Sequence, residues 1–114
     1  MRGISTHILD MSIGKPAKGV LVKLERNIPG SGWTVLTEAI TDASGRISQM
    51  VPPNDHLHLG AYRLWFDIET YFSDRQEATF FPEVSLHFEI RDEMTHYHVP
   101  LLLSPYGYTT YRGS

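Results

Sequence analysis

The sequence predicts an all-β protein, an antiparallel β-sandwich of eight strands with one short helix. Hydrophobic and polar residues alternate over short segments, most clearly across residues 61–69 and 84–90. This alternation is expected when one face of a strand packs on a core and the other meets water. Glycine, proline, asparagine and aspartate separate the segments at short intervals, which is typical of the turns in a sandwich.

Eight segments have the alternation of strands. They are Ile4–Asp10, Val20–Arg26, Thr34–Thr41, Arg46–Met50, Ala61–Glu69, Val84–Ile90, Tyr97–Leu103 and Gly107–Tyr111. Helical character is confined to residues 73–78, where Ser73 or Asp74 can cap the first turn. We therefore expect one short helix between the fifth and sixth strands, ending near Phe80 and before Pro82.

The composition excludes several classes of protein. A length of 114 residues indicates one domain, placed at residues 1–114. Cysteine is absent, so disulfides and thiolate nucleophiles are excluded. The formal net charge is −3 and basic residues form no block, which argues against nucleic acid as a partner. No apolar run is long enough to cross a membrane, so we expect no membrane association.

The expected location follows from the two ends of the chain. The first predicted strand begins at Ile4, three residues after the start, which leaves no room for the apolar part of a secretory leader. The last three residues are not a peroxisomal signal. We therefore expect a cytoplasmic protein, or a periplasmic one if a leader was removed from a precursor.

The last nineteen residues, 96–114, carry the most informative pattern. Alternate positions of the predicted strand form one continuous apolar face: Tyr97, Val99, Leu101 and Leu103. His96 and His98 then point away from the core, towards water or a neighbouring subunit. The chain ends in the tetrapeptide YRGS, residues 111–114, which brings a phenol, a guanidinium, a hydroxyl and the terminal carboxylate together.

This C-terminal segment resembles the signature of the 5-hydroxyisourate hydrolases, the transthyretin-related enzymes of urate breakdown. The likeness continues at residues 5–10 (STHILD) and 41–46 (TDASGR), so it spans nearly the whole chain. Plasma transthyretin, a hormone carrier, shares the fold of this family but lacks the terminal tetrapeptide. The resemblance implies a transthyretin-like (prealbumin-like) fold without a cofactor. It also implies hydrolysis of 5-hydroxyisourate to 2-oxo-4-hydroxy-4-carboxy-5-ureidoimidazoline.

The resemblance implies a set of site residues. The implied catalytic residues are His7, Arg46, His98 and Ser114, and all four are implied to contact the substrate together with Tyr111. Imidazoles suit proton transfer near neutral pH, and we favour His98 as the base. A planar guanidinium suits a carbonyl-rich ring and a developing oxyanion. Ser114 has two candidate groups, its hydroxyl and its carboxylate, and both stay open.

Strand parity adds independent expectations. His7 shares an outward face with Ser5, and Arg46 follows a turn and points outward. Because an exposed sheet face binds a small molecule poorly, a second copy of the face should complete a cleft. The resemblance implies a homotetramer, a dimer of dimers, with sites along a channel between subunits. Tyr111 and Arg112 have opposite parity, and we favour Tyr111 as the residue that faces the ligand.

Two other functions compete with hydrolysis, a carrier and a secreted or cell-surface β-sandwich used for adhesion, and the absence of disulfides disfavours the adhesion module. A carrier of a flat aromatic ligand would share the fold, but it would need a more apolar channel than two histidines and an arginine provide.

His56 and His58, like His96 and His98, have the spacing of two metal ligands on a strand. Neither pair has a cysteine or a nearby carboxylate that clearly completes a site, so we predict no metal.

Overall fold

A computed structural model describes residues 2–114, and Met1 lies outside the described residues. Within that range the chain forms nine strands and one helix. They are β1 (Gly3–Asp10), β2 (Lys15–Pro16), β3 (Leu21–Ile28), β4 (Gly32–Ile40), β5 (Arg46–Ile47), β6 (Gly60–Asp67), α1 (Ile68–Asp74), β7 (Glu83–Ile90), β8 (His96–Ser104) and β9 (Gly107–Thr110). No helix in the described part of the chain has the length and hydropathy of a membrane-spanning segment.

The strands form two sheets that enclose one core. The first sheet has the order β2-β1-β8-β9, with β5 also paired to β1, and the second has the order β4-β3-β6-β7. The predicted all-β sandwich is therefore confirmed. One pair departs from the expected antiparallel arrangement, because β1 and β8 are parallel from Gly3↔His96 to Asp10↔Leu103. These strands are nearly ninety residues apart in the chain, so no hairpin constrains their direction.

Alternation correctly predicted which face of β1 and β8 meets the core. The side chains on the inner face are at most 8% exposed: Ile4, Thr6, Ile8, Tyr97, Val99, Leu101 and Leu103. Their partners across the core come mainly from β3, β6 and β7, including the fully buried Leu24, Leu64 and Phe66. The alternate residues of β1 and β8 are consequently placed on the outer face of the first sheet.

The helix was predicted too far along the chain. It spans Ile68–Asp74 instead of starting at Ser73 or Asp74, and the fifth predicted strand ends at Asp67 rather than Glu69. Asp67 caps the helix, since its carboxylate accepts the N–H of Thr70 at 3.2 Å and the Thr70 hydroxyl at 2.7 Å. The apolar residues Ile68 and Phe72, one helical turn apart, are fully buried and hold this segment on the core.

The other strand ends lie within two residues of the prediction, except for two larger differences along β1. The fourth predicted strand, Arg46–Met50, shortens to Arg46–Ile47, although the N–H of Met50 still donates to the Ile4 carbonyl at 2.7 Å. The two-residue strand Lys15–Pro16 was not predicted and pairs with the end of β1. Both segments pair with β1 and so belong to the first sheet.

Candidate active site

Strand pairing brings three of the expected site residues to one face. His7 on β1 is the pairing partner of Arg46 on β5, and His98 on β8 is the partner of Ser5, two residues before His7. Paired residues share a face of a sheet, so His7, Arg46 and His98 project from the outer face of the first sheet. The neighbour of Arg46, Ile47, is 8% exposed and faces the core, as expected for the opposite parity.

A tight turn holds Arg46 beside His7. One carboxylate oxygen of Asp42 accepts the backbone N–H groups of Ser44 at 2.9 Å and of Arg46 at 3.0 Å. The N–H of Arg46 and the hydroxyl of Ser44 lower the pKa of Asp42 below its usual range. The turn is tied to β1 because the N–H of Ile8 donates to the carbonyl of Gly45 at 2.8 Å. The turn sequence DASGR, residues 42–46, therefore fixes the backbone of Arg46 next to His7.

Gly45 is the tightest point of this turn. It has a φ of 76°, and a Cβ at this position would overlap the carbonyl oxygen of Ile8. Replacing Gly45 with alanine should destabilise the fold and displace Arg46, because left-handed backbone costs an alanine about 1–2 kcal/mol before the overlap is counted. Gly30→Ala is the matched control, since Gly30 has a φ of 82° and no atom within 4 Å of the added Cβ. Urea unfolding should show a larger loss for Gly45→Ala than for Gly30→Ala.

The C-terminal tail returns along β8 to the same face. Thr110 pairs with Leu101, and Gly113 forms a bridge to His98 with the same offset, through a Gly113 N–H bond to the His98 carbonyl of 2.8 Å. The same register gives Tyr111 the parity of His98, although Tyr111 lies beyond the end of β9 and also lines a cavity with Leu86, Tyr97 and Val99. Arg112 has the opposite parity, and its guanidinium carbon lies 4.5 Å from the ring centroid of Tyr97. Ser114 follows Gly113 and is exposed.

Burial and positive charge act together on His98. Burial is the main reason that its pKa lies below 6.5, and the neighbouring His7 and Arg46 lower it further. Burial also lowers the pKa of His96. Both imidazoles therefore favour the neutral form at neutral pH.

The direction of this shift predicts a titration result. In the folded protein the titration midpoint of the His98 imidazole should lie below pH 6.5. In Arg46→Ala the midpoint should move up, because one cation that opposes protonation is gone. The unfolded chain takes up this proton first, so the shift makes the folded state lose stability as the pH falls through 6.5. NMR titration of the His98 ring tests both shifts, and a wild-type midpoint above 6.5 would contradict the burial argument.

The model of the HIUase/Transthyretin family matches residues 4–113. The chain belongs to this family. The 5-hydroxyisourate hydrolase of Salmonella typhimurium (strain LT2) is 49% identical over 111 residues, which are 97% of this chain and 80% of the relative.

Solved structures of the HIUase/Transthyretin family have the same fold. The structure of Klebsiella pneumoniae 5-hydroxyisourate hydrolase superposes with a TM-score of 0.85 at 37% identity and covers 100% of this chain and 94% of its own. Sea bream transthyretin in complex with thyroxine gives a TM-score of 0.89 at 31% identity, covering 96% of this chain and 93% of its own. The transthyretin-like fold expected from the sequence is thereby confirmed.

In this family member, three residues beside His98 were not assigned to the site from the sequence. Ser5 is 8% exposed and lies within hydrogen-bond distance of both His96 and His98. His96, expected at the surface or an interface, is half-buried in that contact. Gly113 packs so closely that a Cβ there would overlap the ring of His98. Parity does put Ser5 and His96 on the site face, but only the register shows that they meet.

His56 and His58, the other histidine pair with metal-ligand spacing, lie in a loop outside the site. Asp55, His56 and His58 form the one cluster of three potential metal ligands among residues 2–114. Asp55 Oδ1 lies 3.0 Å from Nε2 of His58 and accepts the backbone N–H of His56 at 2.8 Å. The contact with His58 is the main reason that the pKa of Asp55 is lowered. Hydrogen bonds within the loop thus account for the arrangement.

Proposed function

We propose that this protein is a 5-hydroxyisourate hydrolase of urate degradation. It opens the six-membered ring of its substrate with water and forms 2-oxo-4-hydroxy-4-carboxy-5-ureidoimidazoline. The observation that carries the proposal is the meeting of His7, Arg46 and His98 on one sheet face, with the tail against His98. Two imidazoles and a guanidinium supply the proton transfer and the anion stabilisation that amide hydrolysis needs. The likeness to the 5-hydroxyisourate hydrolases of Salmonella typhimurium and Klebsiella pneumoniae supports the same reaction.

Water is the nucleophile in this reaction. The hydroxyl nearest to His98 belongs to Ser5, which is buried and lies between two imidazoles, so it is poorly placed to attack a substrate. One of His7 and His98 removes a proton from the water, and the other orients the water or assists the leaving nitrogen. Arg46 holds ring carbonyl oxygens and stabilises the tetrahedral oxyanion.

The tail completes the substrate site. Tyr111 has the parity of His98 by register, and Ser114 follows the glycine that packs on His98. We assign substrate positioning to both residues. Arg112, which lies against Tyr97, has a structural role instead.

A second subunit closes the site in this proposal. The face that carries the histidines is an open sheet surface, whereas small-molecule sites are concave. Further along the same face, Leu9 pairs with Leu102, and both apolar side chains are only half-buried in the single chain. Two-fold packing of this face would cover them and form a cleft, and a dimer of dimers would give the expected homotetramer. A monomer of 13.0 kDa that is fully active in sedimentation and kinetic assays would contradict this assembly.

A coupled absorbance assay tests the activity. Urate oxidase generates 5-hydroxyisourate in the cuvette, and its decay is followed with and without the protein. We expect faster decay than the spontaneous rate. An unchanged rate with folded, oligomeric protein would exclude the hydrolase and favour a carrier of flat aromatic ligands. The carrier is the weaker proposal because the face presents His7, Arg46 and His98 rather than an apolar wall.

A further inference from the structure

The hydroxyl of Ser5 bridges two imidazole rings. Its Oγ lies 2.8 Å from Nε2 of His96 and 2.7 Å from Nδ1 of His98. Parallel pairing builds this contact, because it sets Ser5 opposite His98 and Gly3 opposite His96. Only 8% of Ser5 is exposed, so water competes poorly for its hydroxyl.

The single proton of the hydroxyl couples the two rings. When both imidazoles are neutral, Ser5 donates to one ring nitrogen and accepts an N–H from the other. If both rings donated to Oγ, the proton of this buried hydroxyl would have no acceptor, because its hydrogen-bond partners within residues 2–114 are these two nitrogens. In one state both His96 and His98 carry their protons on Nδ1. In the other state both carry them on Nε2. The tautomer of His96 therefore determines the tautomer of His98.

The surroundings of His96 select one of these states. Its Nδ1 is buried and has no hydrogen-bond partner within residues 2–114. A proton there would be a buried N–H without an acceptor, and such orphaned donors are rarer than acceptors without a partner. The Nε2–H tautomer of His96 avoids this cost. Protonation of His96 would also put a proton on Nδ1, so the same burial keeps the ring neutral.

We propose that Ser5 and His96 are positioning residues that hold His98 as its neutral Nε2–H tautomer, which donates a hydrogen bond to the substrate. The inference rests on the proposed hydrolase function and deepens it. It makes His7 the base, in place of His98, which we favoured from the sequence. The Nε2–H of His98 and the guanidinium of Arg46 then stabilise the same oxyanion.

In this reaction His7 carries one proton from the attacking water to the leaving nitrogen. The water oxygen bonds to the ring carbonyl carbon as His7 takes one of its protons. The carbon–nitrogen bond then breaks, and His7 returns that proton to the leaving nitrogen. The second proton of the water leaves with the new carboxyl group. His98 stays neutral throughout and acts only as a donor.

The charges around His98 are compatible with a neutral donor. The groups that face it are His7 from β1, Arg46 from β5 and His96 from its own strand, and each opposes a further positive charge. The terminal carboxylate, one residue beyond Gly113, is the one nearby anion of the tail. The lone pair on Nδ1 is occupied by the Ser5 hydroxyl, which also disfavours protonation at that nitrogen.

NMR of the histidine rings tests the assignment without substrate. Long-range proton–nitrogen correlation spectra of ¹⁵N-labelled protein near pH 7.5 should place the protons of His98 and His96 on Nε2. In Ser5→Ala, His98 should become a mixture of tautomers, and its titration midpoint should rise. In the hydrolase assay kcat should fall about 10–100-fold with KM little changed, the size of loss found when the partner that orients a metal-bound histidine is removed.

Two further variants separate positioning from general damage. His96→Leu should give the same mixture of His98 tautomers, and the double variant with Ser5→Ala should lose no more kcat than either single one. Ser104→Ala removes a hydroxyl at the far end of β8, which donates to the Gly107 carbonyl at 3.0 Å, and should leave spectrum and rate unchanged.

Two results would overturn the proposal. One is a wild-type His98 with its proton on Nδ1. The other is a folded Ser5→Ala protein that retains both the tautomer and the rate. A wild type without hydrolase activity would remove the proposed function, and the spectra would still decide whether Ser5 and His96 set the tautomer.

Discussion

Replacing Arg46 with alanine should lower kcat for 5-hydroxyisourate hydrolysis by about 10²–10³, the usual cost of removing one oxyanion donor. Arg46 is the Cα pairing partner of His7 on the neighbouring strand, and its backbone N–H donates to Asp42 at 3.0 Å. The substitution removes the guanidinium without disturbing this turn, because the turn uses only the backbone of the residue. The fold should therefore survive. The coupled assay measures the rate, and thermal unfolding checks the fold.

Two further substitutions define the role of the guanidinium. Arg46→Lys keeps the charge but loses the planar fork, so activity between wild type and Arg46→Ala is expected if two acceptors are held at once. Arg91→Ala is the control, since the Arg91 side chain is 82% exposed and pairs with Glu89 at 3.3 Å. Full activity of Arg46→Ala would exclude the oxyanion role.

Removing residues 111–114 should abolish most of the activity and leave the sandwich folded. The tail contributes one bridge to His98 and the stacking of Arg112 on Tyr97, whereas the core consists of residues before position 104. Loss of the tail removes Tyr111 and Ser114 and the glycine packed on His98. Misplacement of a catalytic group by about 1 Å can cost about 10²-fold in rate, so at least that loss is expected.

For the truncated protein, the coupled absorbance assay measures the rate and urea unfolding checks the fold. A truncated protein with wild-type rate would contradict a role for the tail in the site. Ser114→Ala then separates the two groups of the last residue, because it keeps the carboxylate and loses the hydroxyl. Activity near that of wild type would assign the role to the carboxylate, and activity near that of the truncated protein would assign it to the hydroxyl.

The alternation of apolar and polar residues was sufficient to predict which face of β1 and of β8 meets the core. The period of two along β1 and β8 places Ile4 and Leu101 in the core and His7 and His98 outside it, and both placements hold in the structure. The turn before Arg46 was also predictable from the sequence. Asp42 accepts the backbone N–H of Arg46, and Gly45 adopts a left-handed backbone conformation. The catalytic roles came from the resemblance, because parity cannot distinguish a functional histidine from a solvated one.

The start of the helix was predicted wrongly because the chain has two candidate N-caps close together. Ser73 and Asp74 are good capping residues, yet the helix starts at Ile68 because Asp67 also caps. Burial of two apolar residues one turn apart decides between these starts, and burial depends on the opposite sheet.

The sequence by itself determined the two-layer β architecture, the sheet face on which His7, His96 and His98 lie and the chemistry available there. Only the tertiary structure decided that β1 runs parallel to β8, and that Ser5 therefore meets His96 and His98. It also decided that the tail ends against His98. Alternation is a property of neighbouring residues along a chain. Register between strands nearly ninety positions apart is set by how the whole core packs, so a single sequence does not display it.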